Sequence, residues 1–150
     1  MLFSKTSAYG IRAVLYLSMQ KGHPFVLIRE IAENLNLSYH FLGKIFQNLS
    51  QGGLITSYKG PNGGVRLARK PEDIFVLDVV RVLEGMDLFT ECVFGLDKCS
   101  DHFPCPLHHK WFRIRKEISE MMASTNFAQL ALDTNTFDFR IKTVSVGTPI

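Results

Sequence analysis

The sequence predicts a mainly α chain with a small β hairpin: a winged helix-turn-helix domain, then a cysteine-containing loop, then a long helix. Three observations predict it. Two short amphipathic segments, Leu27 to Leu35 and Tyr39 to Gln51, are separated by a tight turn. A hairpin pattern rich in glycine, LITSYKGPNGGVRLAR, follows them directly. All three cysteines then fall within CVFGLDKCSDHFPCPLH, residues 92–108, just ahead of a long segment with apolar residues at helical spacing.

Taken in order, Ser4 is placed to cap a first helix running to about Lys21, with Tyr9, Ile11, Ala13, Val14 and Leu17 on its apolar face. Gly22, His23 and Pro24 end it. The second helix buries Ile28, Ile31, Ala32 and Leu35 and leaves Arg29, Glu30 and Glu33 in water. Ser38 caps the third, whose apolar face is Phe41 or Leu42, Ile45, Phe46 and Leu49, and Gly52 and Gly53 stop it. Leu54 to Tyr58 and Val65 to Leu67 read as strands joined through Lys59 to Gly64. A fourth helix covers Ile74 to Glu84, and Gly85 ends it. Gly95 and Pro104 argue for loop across the cysteines, and Pro106 opens a helix reaching Ser124. A short helix from Asn126 to Leu132 follows, and the tail from Asp133 shows weak strand alternation. The implied organisation is a winged helix-turn-helix domain over 1–84, a cysteine-rich loop over 85–108, a long helix and short following helix over 109–133, and a tail over 134–150.

With 46% apolar and 21% charged residues in a chain of 150, the expectation is one folded soluble domain with an extension. The N-terminus has no strongly basic leader or cleavage pattern, and no run of about twenty uncharged apolar residues occurs. A cytoplasmic protein with no membrane span is therefore expected. Three cysteines cannot all pair within one chain, and in a reducing compartment thiolates free to ligate or react are favoured. Residues 1–70 hold nine Lys or Arg and two acids, whereas residues 71–150 hold eight and twelve. That asymmetry points the N-terminal half at a polyanion.

Tyr39, His40, Lys44, Gln47 and Asn48 lie on the polar side of the third helix, where Ser38 would meet a phosphate and the first two turns would present donors to base edges. Lys59, Asn62 and Arg66 belong to the wing, set to touch backbone or minor groove. Lys5 and Arg12 are candidates for further phosphate contacts. Each set has a plainer reading as a solvated face. Trp111, Ile114, Ile118, Met121 and Met122 form a wide apolar surface on the long helix, and a partner copy is expected to cover it.

Cys92, Cys99, Cys105 and His108 form a mixed thiolate and imidazole set. The tight knuckles of a structural zinc site are absent, and so is a ferredoxin-type run. Spacing alone leaves four readings: an iron-sulfur cluster, zinc, a thiol redox switch, or thiols with no special role. His102 and His109 are alternative imidazoles. No GxSxG, HExxH or P-loop is present, and Asp87, Glu91, Asp97 and Asp101 read better as solvated loop acids than as a hydrolase centre. No enzyme is expected.

KTSAYGIRAVLYL, LIREIAENLNLSYHFLGKIFQNLSQGGLI, SYKGPNGGVRLAR and LDVVRVLEG together resemble the winged-helix transcription factors that include IscR, NsrR and CymR. The resemblance spans residues 3 to about 132 and is closest to the three-cysteine members. It implies a homodimeric regulator, a repressor rather than an activator, binding a pseudo-palindromic promoter site in double-stranded DNA. It further implies that Cys92, Cys99 and Cys105 match cluster cysteines, and that His108 falls where IscR-like members supply an imidazole to a [2Fe-2S] cluster. The gap from Cys92 to Cys99 is one residue longer than in those members. NsrR-like members use an aspartate for a [4Fe-4S] cluster where this chain has Ala8, so [2Fe-2S] is favoured over [4Fe-4S]. Gly43 and Lys44 replace Glu-Gln of IscR-like members, which alters the expected base preference.

Overall fold

The computed structural model describes residues 2–137 and 139–141. Helix α1 (Lys5–Ser18) is capped by Ser4, whose Oγ accepts the Ser7 N–H. The Ser4 N–H donates to the Glu84 carboxylate, tying the start of α1 to the end of α4 (Val76–Leu83). α1 stops three residues short of the expected Lys21, and the chain turns through His23 at positive φ. α2 (Ile28–Leu35) ends on Asn36 in the left-handed conformation, and the Leu37 N–H returns to the Ala32 carbonyl at 2.8 Å. α3 spans Tyr39–Gln51 as expected.

The hairpin is antiparallel, β1 (Ile55–Tyr58) against β2 (Gly64–Leu67), with Ile55 opposite Leu67 and Tyr58 opposite Gly64. Val26 adds a third rung: it exchanges two backbone hydrogen bonds of 2.9 Å with Val65, which seats the hairpin on the segment between α1 and α2. A 3-10 turn at Pro71–Asp73 leads into α4, whose first turn is held by the Asp78 carboxylate accepting the Phe75 N–H at 2.9 Å. A single turn, α5 (Asp87–Thr90), not anticipated from the sequence, precedes the cysteine loop.

α6 (His108–Ser124) begins two residues after Pro106. α7 (Phe127–Phe137) continues five residues past Leu132, so the strand alternation expected from Asp133 is corrected to helix as far as Phe137. A helix suits Thr134, buried with its hydroxyl donating to the Leu130 carbonyl, and the rest of that expectation lies mostly outside the described residues. The C-terminal helices are not a separate layer. Val76 N–H donates to Thr125 and Phe127 N–H to Ile74, and Met122, Phe127 and Ala131 join Val14, Ile31, Leu42, Ile45, Phe46, Leu49 and Val79 in one core. Full burial of a Phe side chain stabilises by about 1.5–3 kcal/mol, so Phe127 alone is a substantial clasp between α7 and the winged helix.

One seam of α6, His108, Trp111, Arg115, Ile118 and Met122, repeats every three and four residues and faces its own subunit. Of the residues expected to meet a partner copy, Met122 is corrected to this core, and Ile118 packs partly against it. Trp111 is half-buried, its indole N–H donating to the Glu91 carbonyl at 3.0 Å. Ile114 and Met121 stand out in solvent with Phe112. Among the described residues no helix is long and apolar enough to cross a membrane.

Candidate functional site

Two candidate sites emerge. The first is the outer face of α3 and the hairpin. Leu42, Ile45, Phe46 and Leu49 are driven inward, which turns Tyr39, His40, Lys44, Gln47 and Asn48 outward, all exposed. Ser38 Oγ accepts the Phe41 N–H at 3.4 Å, so other first-turn N–H groups point outward unpaired by this cap. In the hairpin Lys59, Asn62 and Arg66 are exposed. The Arg66 guanidinium lies 4.4 Å from the centre of the Phe25 ring, which itself packs on Tyr58 at 5.6 Å. This aromatic shelf restrains a wing cation before any partner arrives.

Between α3 and the hairpin lies an open cleft of about 760 Å³, floored by Phe46 and Val65 and rimmed by Arg29, Gln47 and Lys59. Arg29, which the sequence pattern placed merely in water, sits over the Tyr39 ring at 5.6 Å on that rim. No sequence signal marks it. Lys5 is exposed on α1. Arg12, expected to meet phosphate, is corrected to an internal role. Its Nη2 donates to the Leu35 carbonyl at 2.8 Å, satisfying the end of α2, and its Nε donates to the Ile141 carbonyl at 2.5 Å. Burial, the larger influence, lowers its pKa, with the charge of Tyr9 working the other way.

The second site is the loop between α5 and α6. Cys92 is buried, Cys99 and Cys105 are half-buried, and all three are free thiols. Cys92 and Cys105 are near enough for each to influence the other's ionisation. Cys99 Sγ lies 3.3 Å from His108 Nδ1. The other ring nitrogen, Nε2, is 2.7 Å from Asp101 Oδ1. With Nε2–H donated to the carboxylate, a neutral His108 presents its Nδ1 lone pair to the sulfur side, as an oriented ligand histidine does.

Electrostatics separates the Cys92 and Cys105 thiols. The Phe94 N–H is the largest influence holding Cys92 below the ordinary thiol pKa; burial opposes it, and the Leu96 N–H, the Cys105 thiol and the Arg115 charge reinforce it. Cys105 is pushed up, chiefly by burial, then by its bond to Cys92 and the charges of Cys92 and Cys99, against the Leu107 N–H. Cys92 is therefore the more acidic of the two thiols. Asp101 is held low, first by its hydrogen bond with His108 and then by that ring's charge.

Among the described residues, Asp101, His108 and His109 are the group of three potential metal ligands whose ligand atoms all lie within 4.8 Å of one another; the three cysteines do not join it. His102 and His109 are exposed, while His108 is 3% exposed and alone faces a cysteine. Asp101, read from the sequence as a solvated loop acid, keeps its exposure yet is also the partner of His108. The loop is anchored from α6, where the Trp111 indole and Arg115 Nη1 both donate to the Glu91 carbonyl, at 3.0 and 2.9 Å.

The family described as Rrf2, iron-dependent transcriptional regulator, matches residues 3–133. An HTH-type transcriptional regulator of Aquifex aeolicus is 32% identical over 132 residues, covering 87% of this chain and 91% of that protein. Among solved structures, CymR, the global cysteine regulator of B. subtilis, superposes with a TM-score of 0.74 at 32% identity, covering 87% of this chain and 95% of that one. IscR of T. potens superposes with a TM-score of 0.73 at 30% identity, covering 92% and 91%. These relatives are regulators of transcription rather than enzymes. The chain belongs to the Rrf2 family of winged-helix, DNA-binding transcriptional regulators.

Proposed function

We propose that this regulator is a homodimeric repressor whose affinity for a pseudo-palindromic promoter site is set by an iron-sulfur cluster on Cys92, Cys99, Cys105 and His108. The observation that carries the reading is Cys99 Sγ at 3.3 Å from His108 Nδ1, in a loop whose other two cysteines, Cys92 and Cys105, are also free thiols. A dinuclear [2Fe-2S] group takes two protein ligands on each iron, and the soft thiolate and imidazole donors suit it. The carboxylate behind His108 supplies the outer-shell support that ligand histidines commonly have. Ala8 offers no ligand for the aspartate-completed alternative.

When bound, such a group supplies a one-electron couple and a site open to attack by oxygen or nitric oxide. The chain's own residues do the rest. Lys44, Gln47 and Asn48 face base edges, Ser38 and Tyr39 approach a phosphate, and Lys59, Asn62 and Arg66 follow the backbone beside them. Phe112, Ile114 and Met121, exposed on α6, favour a second copy as their cover, which places two α3 helices at successive major grooves. Loop geometry reaches the DNA face through Glu91, gripped by α6, then α4, which packs against α6 and α3. Loss of the cluster releases the loop and biases that chain between two packings.

A second reading, a thiol switch without a cluster, draws on one observation. The Cys92 thiol is held below the ordinary thiol range and the Cys105 thiol above it, the inequality a dithiol switch uses. Anaerobic reconstitution with iron and sulfide, followed by iron and sulfide analysis and absorption spectra, separates the two. A charge-transfer chromophore in the wild type that is lost in Cys92→Ala/Cys99→Ala/Cys105→Ala supports the cluster. The same chromophore in the triple variant refutes the ligand assignment, and zinc with no iron in protein purified without air refutes the cluster.

A further inference from the structure

Arg115 is a buried cation whose charge the proposed function does not use. It is 8% exposed, whereas the other lysines and arginines among the described residues are exposed or only half-buried. No carboxylate lies within ion-pair distance of it among the described residues. Its Nη1 donates to the Glu91 carbonyl, and its guanidinium lies 5.4 Å from the centre of the Phe112 ring. A neutral carbonyl and an aromatic face leave most of a buried charge uncompensated, and such a charge is unfavourable unless an anion lies near. Glu91 is bonded directly to Cys92, itself 7% exposed.

We propose that Arg115 is the counter-charge of the sulfur site: it offsets the negative charge that the thiolates bring into the loop and favours the reduced, more negative state of the cluster they hold. The inference rests on the cluster reading above. Its geometric basis is the 2.9 Å hydrogen bond from Arg115 Nη1 to the carbonyl of Glu91, the residue that precedes Cys92. Lys98 and Lys110 are exposed and screened by solvent, so they cannot replace a buried charge. Trp111 donates to the same carbonyl without carrying charge, so hydrogen bonding and charge are separable.

The test is the cluster's midpoint potential in the full-length, anaerobically reconstituted protein, titrated with dithionite and followed by absorbance. Wild type is compared with Arg115→Gln, Arg115→Lys and Trp111→Phe, and each fold is checked by circular dichroism. Arg115→Gln is expected to shift the one-electron equilibrium at least tenfold toward the oxidised form, a midpoint lower by about 59 mV. Arg115→Lys and Trp111→Phe are expected to stay within threefold of wild type. An unchanged midpoint in Arg115→Gln overturns the inference, and so does an equal shift in Arg115→Lys or Trp111→Phe. If Arg115→Gln cannot hold the chromophore, Arg115→Lys decides: chromophore and midpoint both retained support the counter-charge, and both lost overturn it. A wild type that takes up no cluster overturns the cluster reading and this inference together, and is recognised by the missing chromophore.

Discussion

Replacing Gly64 with alanine should detach the wing. Gly64 has φ +144°, a region that residues with side chains rarely adopt, and an added Cβ would fall 2.3 Å from the Val26 carbonyl oxygen and 2.5 Å from its carbon. Backbone atoms cannot step aside as a flexible side chain does. Relief requires the hairpin to part from residues 25–27, breaking both 2.9 Å hydrogen bonds between Val26 and Val65. At about 1 kcal/mol per net hydrogen bond and about 1–3 kcal/mol for the strained backbone, the loss is roughly 3–5 kcal/mol. Domains are stable by only about 5–15 kcal/mol, so this is a large fraction. Parting also moves Arg66 off the Phe25 ring, so wing contacts with DNA should weaken. Urea unfolding gives the stability and fluorescence anisotropy with a promoter duplex gives the affinity. Gly43→Ala is the control: it lies inside α3 with nothing within 4 Å of an added Cβ, and should gain about 0.5–1 kcal/mol. A Gly64→Ala protein within 1 kcal/mol of wild type and equal in DNA affinity would refute the reasoning, that limit being about the worth of a single hydrogen bond.

Four further outcomes follow from named contacts. Arg66→Ala should lower the slope of log affinity against log salt by about one, as loss of one phosphate contact does. Arg12→Ala should leave that slope unchanged while lowering the urea midpoint, since its guanidinium serves the Leu35 and Ile141 carbonyls. Tyr16 is held above its ordinary pKa, first by burial and then by the Glu30 charge and hydrogen bond. The unfolded chain therefore ionises first as pH rises, so this contribution is full below about pH 10 and declines above it; Tyr16→Phe should flatten the decline in urea midpoint measured from pH 8 to 11. Asp101→Asn, which can present an amide donor in place of a carboxylate acceptor to His108 Nε2, should weaken iron retention about 10–100-fold against a chelator, with the fold intact by circular dichroism.

Local signals made the winged helix legible. Ser38 and Gly52 bracket α3 at the residues the pattern implied, because an N-cap hydroxyl and a terminating glycine act within a few residues of themselves. What sequence hid was tertiary. Periodicity marks the apolar residues of α6 but cannot tell which ones face the subunit and which face a partner, so Met122 and Ile118 were grouped with Ile114 and Met121. The fate of Arg12 depends on carbonyls 23 and 129 residues away, and no spacing encodes that. Within the cysteine loop, the residue types were visible and the pairing was not. Which thiol is the more acidic, which ring nitrogen faces sulfur and why Asp101 matters all follow from the path of residues 92–108.

The most direct test of the central claim is the ratio of promoter affinities between cluster-loaded and metal-free protein, measured by anisotropy at one fixed salt concentration. A difference of at least tenfold is predicted in the wild type, falling to none in the Cys92→Ala/Cys99→Ala/Cys105→Ala protein. Equal affinities for the loaded and metal-free wild type would contradict the account.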